Sequence, residues 1–195
     1  MLKIGITGGI GSGKTTVCRI FESLGIPIFY ADIVAKQIMV TDPVLVAGVK
    51  AAFGNESYDV TGKLNNKYIA QIVFNDQQEL DKLNALVHPA TFRAFEGWMN
   101  TVPAGTPYIL KEAALLFESG SYRMCDKSVL VTATVDVRIA RVMERDQVSR
   151  EQVESRINKQ LSDEIKKGMA DYFIENNETD TLIPQVLKLH HQFLK

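Results

Sequence analysis

The chain has few cysteines, no excess of charge of either sign and no long hydrophobic run. Its two cysteines, Cys18 and Cys125, are far apart and form no C-x-x-C pair, which argues against a redox or metal site of that kind. We expect Cys18 to pack inside the first helix. The formal net charge of −1 gives no strong field that would attract nucleic acid or an anionic membrane.

No apolar stretch approaches the roughly 18 residues of a membrane span, and the first residues form a strand pattern rather than a signal peptide. We therefore expect a cytoplasmic protein with no membrane and no nucleic-acid partner. The 195 residues, 46% of them hydrophobic and 23% charged, are ordinary for a globular protein. This length suits one α/β domain with insertions.

The stretch GGIGSGKT, from Gly8 to Thr15, fits G-x-x-x-x-G-K-[ST], the pattern of a phosphate-binding loop. Glycines tolerate positive φ, so consecutive backbone N–H groups can converge on one phosphate. Lys14 can reach the outer phosphates, and the Thr15 hydroxyl is the expected ligand of Mg²⁺. A strand pattern precedes the loop and a helical pattern follows it. We predict that the loop binds a nucleoside triphosphate through Gly9, Ile10, Gly11, Ser12, Gly13, Lys14, Thr15 and Thr16.

Strand patterns alternate with helical patterns along the chain, which is typical of βαβ units and a parallel sheet. The stretch between the second and third strands shows only helical spacing and is far longer than a simple crossover. It indicates a helical insertion, a natural place for a second substrate. The predicted strands are Leu2–Thr7, Ile26–Tyr30, Tyr108–Glu112, Ser128–Thr132 and Tyr172–Glu175. The predicted helices of the insertion are Ile33–Val40, Val44–Phe53, Asn66–Phe74, Asp76–Val87 and Pro89–Met99.

The segment after the fourth strand predicts two helices that carry several arginines. Ser149 and Gln152 have the spacing of a capping box at the start of the second helix. Arg138, Arg141 and Arg145 are spaced by three and four residues, so they can point the same way. Two interpretations remain open: a solvated helical hairpin, or a lid that clamps phosphate with its arginines.

The last predicted helix covers about Ile183 to Leu194. Its spacing puts Ile183, Val186, Leu187, His190 and Leu194 on one face. His190 and His191 are interpreted as solvated or half-buried residues of this helix rather than ligands.

Two acidic residues stand beside predicted strand ends. Asp32 follows the second strand at the sheet edge where ligands of parallel sheets bind, so it could accept a proton from an attacking hydroxyl, or it could cap the helix Ile33–Val40. Glu112 could hold a water bound to Mg²⁺, or it could balance the positive charge of Lys111. A guanine-specific switch would need N-K-x-D, but the nearest match, Asn158–Leu161, ends in leucine. Motor-like ATPases usually carry an Asp, often with a Glu, after four apolar residues of one strand. The predicted strand VLVTAT contains no acidic residue, which argues against this class.

The order of these motifs resembles the dephospho-CoA kinase family along nearly the whole chain. The phosphate-binding loop alone is generic, whereas the other motifs in the same order are much more specific. Alanine stands at position 114 where many members of the family read proline before L-L-F-E. The matching stretches are TGGIGSGKTTV at Thr7–Val17, YADIVAKQI at Tyr30–Ile38, VHP at Val87–Pro89, LLFESG at Leu115–Gly120, RVMERDQVSREQVESRINKQ at Arg141–Gln160 and ADYFIEN at Ala170–Asn176.

The resemblance implies an α/β fold of the P-loop kinase type, with a parallel five-stranded sheet flanked by helices. It implies a single kinase unit over 1–195, whose core is about 1–32, 105–134 and 168–195. A helical acceptor-binding insertion is expected at about 33–104 and a helical lid at about 135–167. The implied reaction is transfer of the γ-phosphoryl group of ATP, with Mg²⁺, to the 3′-hydroxyl of the ribose of dephospho-CoA. This reaction is the last step of coenzyme A synthesis. We expect a monomer or a small homo-oligomer.

The resemblance also implies roles for particular residues. Asp32 matches the general base, and Arg141 matches a lid arginine that neutralises the transferring group, with Arg145 in support. Lys14 and the loop amides hold the triphosphate. The expected acceptor contacts are Asp32, His88, Arg93 and Glu112. A different small-molecule kinase and a nucleotide-dependent switch remain as competing hypotheses.

Overall fold

The computed structural model describes residues 1–74 and 76–195 of the chain. The chain forms two compact units. The first, called here the sheet unit, consists of Met1–Tyr30 and Val102–Lys195. The second, called here the helical unit, is the continuous segment Ala31–Thr101.

The sheet unit is built on five parallel strands in the order β2-β3-β1-β4-β5. This confirms the predicted fold class. β2 begins two residues later than predicted because the Ile26 N–H still bonds to Phe21 O at the end of the first helix. β4 begins one residue earlier than predicted. The strands are β1 (Leu2–Thr7), β2 (Ile28–Tyr30), β3 (Tyr108–Glu112), β4 (Lys127–Thr132) and β5 (Tyr172–Glu175).

The helices of the sheet unit surround a core in which β1, β3 and β4 are buried along most of their length. Cys18 is fully buried in this core, which confirms its packing role, and burial raises the pKa of its thiol. Helix α1 ends at Ser23, and Gly25 follows at φ 80° to turn the chain. The helices are α1 (Lys14–Ser23), α6 (Val135–Asp146), α7 (Arg150–Ile157), α8 (Asp163–Met169) and α9 (Leu182–Phe193).

Two expectations for the C-terminal region are corrected by the structure. A third helix, α8, follows the two predicted ones and is capped by the Ser162 side chain, which accepts from Ile165 N. The predicted face of the last helix is wrong at its ends, because Ile183 and Leu194 are exposed. The buried face instead carries Val186, Leu189 and Phe193, whose spacing of three and four is equally helical. The capping box of α7 is confirmed.

The helical unit contains α2 (Ala31–Thr41), α3 (Pro43–Phe53), α4 (Asn66–Val73) and α5 (Gln77–Met99). The prediction of two helices divided before Pro89 is wrong, because α5 runs through that proline. A proline inside a helix removes one backbone hydrogen bond at a cost of about 3 kcal/mol. Packing on both sides offsets this cost, since Leu86 and Ala90 belong to the hydrophobic cluster of this unit. No helix in the described ranges is long and apolar enough to span a membrane.

Candidate active site

The loop between β1 and α1 is shaped to receive an anion. Gly11 and Gly13 have φ of 79° and 91°, values that side chains with a Cβ rarely adopt. The N–H groups of Ser12 and Thr16 already bond to Gly9 O and Gly13 O. In the part of the chain that the structure describes, the N–H groups of Gly11, Gly13 and Thr15 have no hydrogen-bond partner. These three donors are therefore available to a phosphate.

The residues at the start of α1 complete the loop. The Lys14 Nζ atom donates to Gly8 O at 2.9 Å, so the ammonium group lies over the loop that it would share with phosphates. Thr15 and Thr16 are exposed in the first turn of α1. The helix begins at Lys14, and its N-cap residue, Gly13, has no side chain that could bond to the first N–H groups. The positive end of the helix dipole therefore adds to the attraction for an anion.

Ser12 has a buried hydroxyl with no hydrogen-bond partner among the described residues, although the residue is only 1% exposed. Leaving such a group unpaired costs about 1–3 kcal/mol. An unpaired hydroxyl inside the loop is consistent with a site that is completed by a ligand.

Asn176 supports the loop from behind. Its side-chain Nδ2 donates to Ser12 O at 2.8 Å, and its own carbonyl oxygen accepts from Arg141 Nη1 at 2.9 Å. A Cβ added to Gly13 would overlap that Nδ2 atom, so a glycine is required there by space as well as by φ. Asn176 follows β5 directly. It was part of the matching stretch ADYFIEN, but no role was predicted for it.

The three arginines of α6 have different partners. Arg138 is 3% exposed and bonds to Ile10 O and to Asp163. Arg141 donates to the backbone carbonyl oxygen of Asn176, and the side chain of Asn176 in turn bonds to the loop at Ser12 O. Arg145 is exposed and makes two hydrogen bonds, of 2.7 and 3.1 Å, to Asp146. The structure therefore associates Arg138 and Arg141, but not Arg145, with the loop.

Glu112 is the last residue of β3, whose bounds are those predicted. It is 7% exposed and pairs in register with Ile6 of β1 and Tyr30 of β2. The carboxylate thus lies at the edge of the sheet where β1 leads into the phosphate-binding loop. Its charge adds to the effect of burial in raising the pKa of Cys18.

Asp32 lies in the first turn of α2 and is exposed. The prediction that it caps a helix beginning at Ile33 is wrong, because α2 begins at Ala31 and already contains Asp32. A carboxylate in the first turn is favourable with the helix dipole. Along the chain, Asp32 follows Tyr30, the last residue of β2, by two positions.

The two basic residues proposed for the acceptor lie on α5. His88 is half-buried within the helix and its ring stacks on Phe92, with centroids 6.5 Å apart. It stands inside the helix rather than at its end, since α5 continues to Met99. Burial lowers the pKa of His88. Arg93 forms an ion pair with Asp42, at 2.9 Å.

A parallel sheet of this order, with a GGIGSGKT loop joining β1 to α1, places the chain among the P-loop proteins, which bind nucleoside phosphates. The family model CoaE, described as "Dephospho-CoA kinase", matches residues 2–181. The chain belongs to the dephospho-CoA kinase family. The resemblance seen in the sequence is thus confirmed.

Relatives agree with this assignment over most of their length. A "Dephospho-CoA kinase" of Chlorobium chlorochromatii is 38% identical, covering 100% of this chain and 94% of the relative. One of Salinibacter ruber is 42% identical, covering 92% and 90%. The crystal structure of TT1252 from Thermus thermophilus has a TM-score of 0.87 and 32% identity, and the match covers 100% of this chain and 98% of that one.

Proposed function

We propose that this protein transfers the γ-phosphoryl group of ATP to the 3′-hydroxyl of the ribose of dephospho-CoA, giving CoA and ADP. The observation that carries the proposal is the loop Gly8–Thr15, in which Gly11, Gly13 and Thr15 present N–H groups that have no partner in the described residues. Family membership gives the acceptor. The ribose 3′-hydroxyl of dephospho-CoA would then attack the terminal phosphoryl group of the ATP held by this loop.

In this proposal the loop holds the triphosphate. Its donors are backbone amides and the Lys14 ammonium, which leaves Gly8 O for the outer phosphates when ATP is bound. Arg141 neutralises charge on the transferring group. Arg145 would support it from the same helix after exchanging its partner Asp146 for phosphate. The nucleotide-binding residues proposed are Gly9, Ile10, Gly11, Ser12, Gly13, Lys14, Thr15, Thr16, Arg141 and Arg145.

Thr15 is the residue proposed to hold Mg²⁺. Its hydroxyl is exposed at the start of α1, and an oxygen donor of this kind fits an ion that prefers oxygen ligands and keeps substrate phosphates and waters as its other ligands. When bound, the ion neutralises negative charge on the β- and γ-phosphates.

Asp32 is proposed as the general base that takes the proton of the ribose hydroxyl. His88, Arg93 and Glu112 are proposed contacts of the acceptor, and Arg93 would exchange Asp42 for the substrate. Residues 135–167 are proposed to act as a lid that excludes water, because water would otherwise compete as the nucleophile. Positioning and charge neutralisation supply most of the acceleration in such reactions. A cytoplasmic monomer or small homo-oligomer is the proposed working form.

A panel of acceptors tests the function. ADP release is followed with ATP and Mg²⁺ in the presence of dephospho-CoA, of nucleoside monophosphates, or of no acceptor. The proposal predicts turnover with dephospho-CoA well above both other arms, and CoA as the product. Faster turnover with a nucleoside monophosphate would point to a different kinase, and equal ADP release in all arms would point to a hydrolase or a switch.

A further inference from the structure

Ile10, at the tip of the phosphate-binding loop, has both of its backbone polar groups held by side chains from far along the chain. Its N–H donates to Gln160 Oε1 at 2.9 Å, and its carbonyl oxygen accepts from Arg138 Nε at 2.9 Å. We call Arg138 and Gln160 together the Ile10 clamp. No role had been expected for Gln160, although it ends one of the stretches that resemble the family.

The side chain of Ile10 is bound to the same segment. It packs against a buried cluster formed by Ile139 and Val142 of α6 and Val153 of α7. The tip of the loop therefore touches the segment 138–160 through its N–H, its carbonyl oxygen and its side chain. Three independent contacts on one residue fix its orientation far better than one would.

Arg138, on α6, packs directly against the loop. Its side chain is 4% exposed, and its Nη1 atom donates to Asp163 Oδ2 at 2.9 Å. A buried guanidinium group is stable only when it is paired in this way. A Cβ added to Gly9 would overlap the guanidinium group, and one added to Gly11 would come within 2.5 Å of Arg138 O. The glycines of the loop thus leave the space that Arg138 fills.

Gln160 is held from its other side. The next residue, Leu161, donates its N–H to Glu118 Oε1 at 3.0 Å. The same carboxylate oxygen lies 3.0 Å from Nζ of Lys166, whose side chain is fully buried. The backbone beside Gln160 is therefore anchored to the segment that follows β3, and the side chain reaches the loop from a fixed base.

We propose that Gln160 is a positioning residue for phosphoryl transfer, acting with Arg138 by holding the tip of the loop in the conformation that places the terminal phosphate of ATP. A loop rich in glycine has little conformational preference of its own, so contacts from outside must select one conformation. The N–H groups of Gly11 and Gly13 converge on a phosphate only in that conformation. This role rests on the proposed function.

The expected consequence is a loss of turnover rather than of ATP binding. A displacement of about 1 Å in the reacting groups can cost about 100-fold in rate. Gln160→Leu removes the acceptor for Ile10 N–H with little change in size. Because the other contacts of Ile10 remain, we expect kcat to fall about tenfold while KM for ATP changes by less than about threefold.

Gln192→Leu is the matched control. Gln192 also makes a side-chain hydrogen bond in the sheet unit, from its Nε2 atom to the Tyr172 hydroxyl at 3.3 Å, but it lies on α9, outside the proposed lid. We expect kcat of this variant to stay within about twofold of the unmodified enzyme. Gln160→Glu keeps an acceptor oxygen and is expected to recover most of the turnover that Gln160→Leu loses. Thermal melting of all variants reports whether the fold is intact.

A double-mutant cycle between Arg138→Met and Gln160→Leu tests whether the two residues act through one point. Effects on kcat that are smaller together than the product of the single effects support the clamp. Normal kcat in Gln160→Leu, an equal fall in Gln192→Leu, or fully multiplicative effects would overturn it. If Gln160→Leu melts below the assay temperature, Gln160→Glu is measured in its place. Turnover of Gln160→Glu within about threefold of the unmodified enzyme supports the role, and a larger loss overturns it. An unmodified enzyme that is inactive with dephospho-CoA would instead refute the proposed function.

Discussion

The side chain of Asn176 bonds to the carbonyl oxygen of Ser12 at 2.8 Å, joining the end of β5 to the phosphate-binding loop. Asn176 is 9% exposed, and its backbone N–H is in turn fixed by Thr132 O at the end of β4. The carboxyl ends of three neighbouring strands thus meet around the loop. This arrangement gives the loop a rigid support on the side of the sheet that carries β4 and β5.

Asn176→Ala should weaken that support. We expect the free energy of unfolding to fall by about 1–2 kcal/mol, because a buried hydrogen bond is lost and Ser12 O is left unpaired. KM for ATP should rise several-fold, which steady-state kinetics and urea titration would measure together. Asn158→Ala, at the exposed end of α7, is the control. A loss of stability with unchanged KM would show that Asn176 serves the fold alone.

Asp32→Asn tests the proposed general base. We expect kcat to fall by two or more orders of magnitude while ATP still binds, the usual scale for loss of such a base. Asp81→Asn, an exposed substitution on α5, should leave turnover unchanged. Turnover near normal in Asp32→Asn would reduce Asp32 to a charge that favours the start of α2.

Arg141→Ala should damage kcat more than the affinity for ATP, because charge on the transferring group is greatest in the transition state. Rapid-quench and steady-state kinetics separate the two effects. Arg150→Ala is a suitable comparison, since Arg150 pairs only with Asp136 and Glu154 on the surface of the described structure. If only ATP affinity suffered in Arg141→Ala, the residue would be a ground-state contact.

His190 predicts a dependence of stability on pH. Its Nδ1 atom lies 2.6 Å from the hydroxyl oxygen of buried Tyr108, and burial, with a smaller effect of His191, lowers the pKa of His190. The unfolded chain therefore binds the proton more readily than the folded one. This contribution to stability is complete above the unfolded pKa of about 6.5 and is lost as the pH falls through that value towards the folded pKa.

Urea unfolding at about pH 7.5 and about pH 5.5 measures this effect. His190→Gln should reduce the loss of stability between the two conditions. Some loss should remain, because burial also lowers the pKa of His88. An identical loss in the variant and in the unmodified protein would contradict the assignment to His190.

The fold and the loop were predictable because their signals are local. Lys14, Thr15 and the glycines fall within eight residues of sequence, and alternation of apolar residues marks the strands. The continuity of α5 through Pro89 could not be predicted, since it depends on packing of Leu86 and Ala90 within the helical unit. Helix α8 was missed because it is short and carries little apolar spacing.

Gln160 and Asn176 lie in stretches that match the family, but no local pattern in the sequence predicts that their side chains bond to the loop. Gln160 bonds to a residue 150 positions away, and Asn176 to one 164 positions away. When the partner of a polar residue is so far away in the sequence, nothing near that residue distinguishes it from a solvated one. Arg138 was noticed for its spacing with Arg141, but its burial against Ile10 follows only from the tertiary structure.

Lys14→Ala tests whether the loop Gly8–Thr15 holds the ATP whose phosphoryl group is transferred. CoA formation from ATP and dephospho-CoA is measured for this variant beside Lys188→Ala, an exposed substitution on α9. We predict that Lys14→Ala loses at least about 100-fold in kcat/KM, because the main cation over the phosphates is gone, while Lys188→Ala keeps normal activity. Activity of Lys14→Ala within a few-fold of the unmodified enzyme would refute this role of the loop.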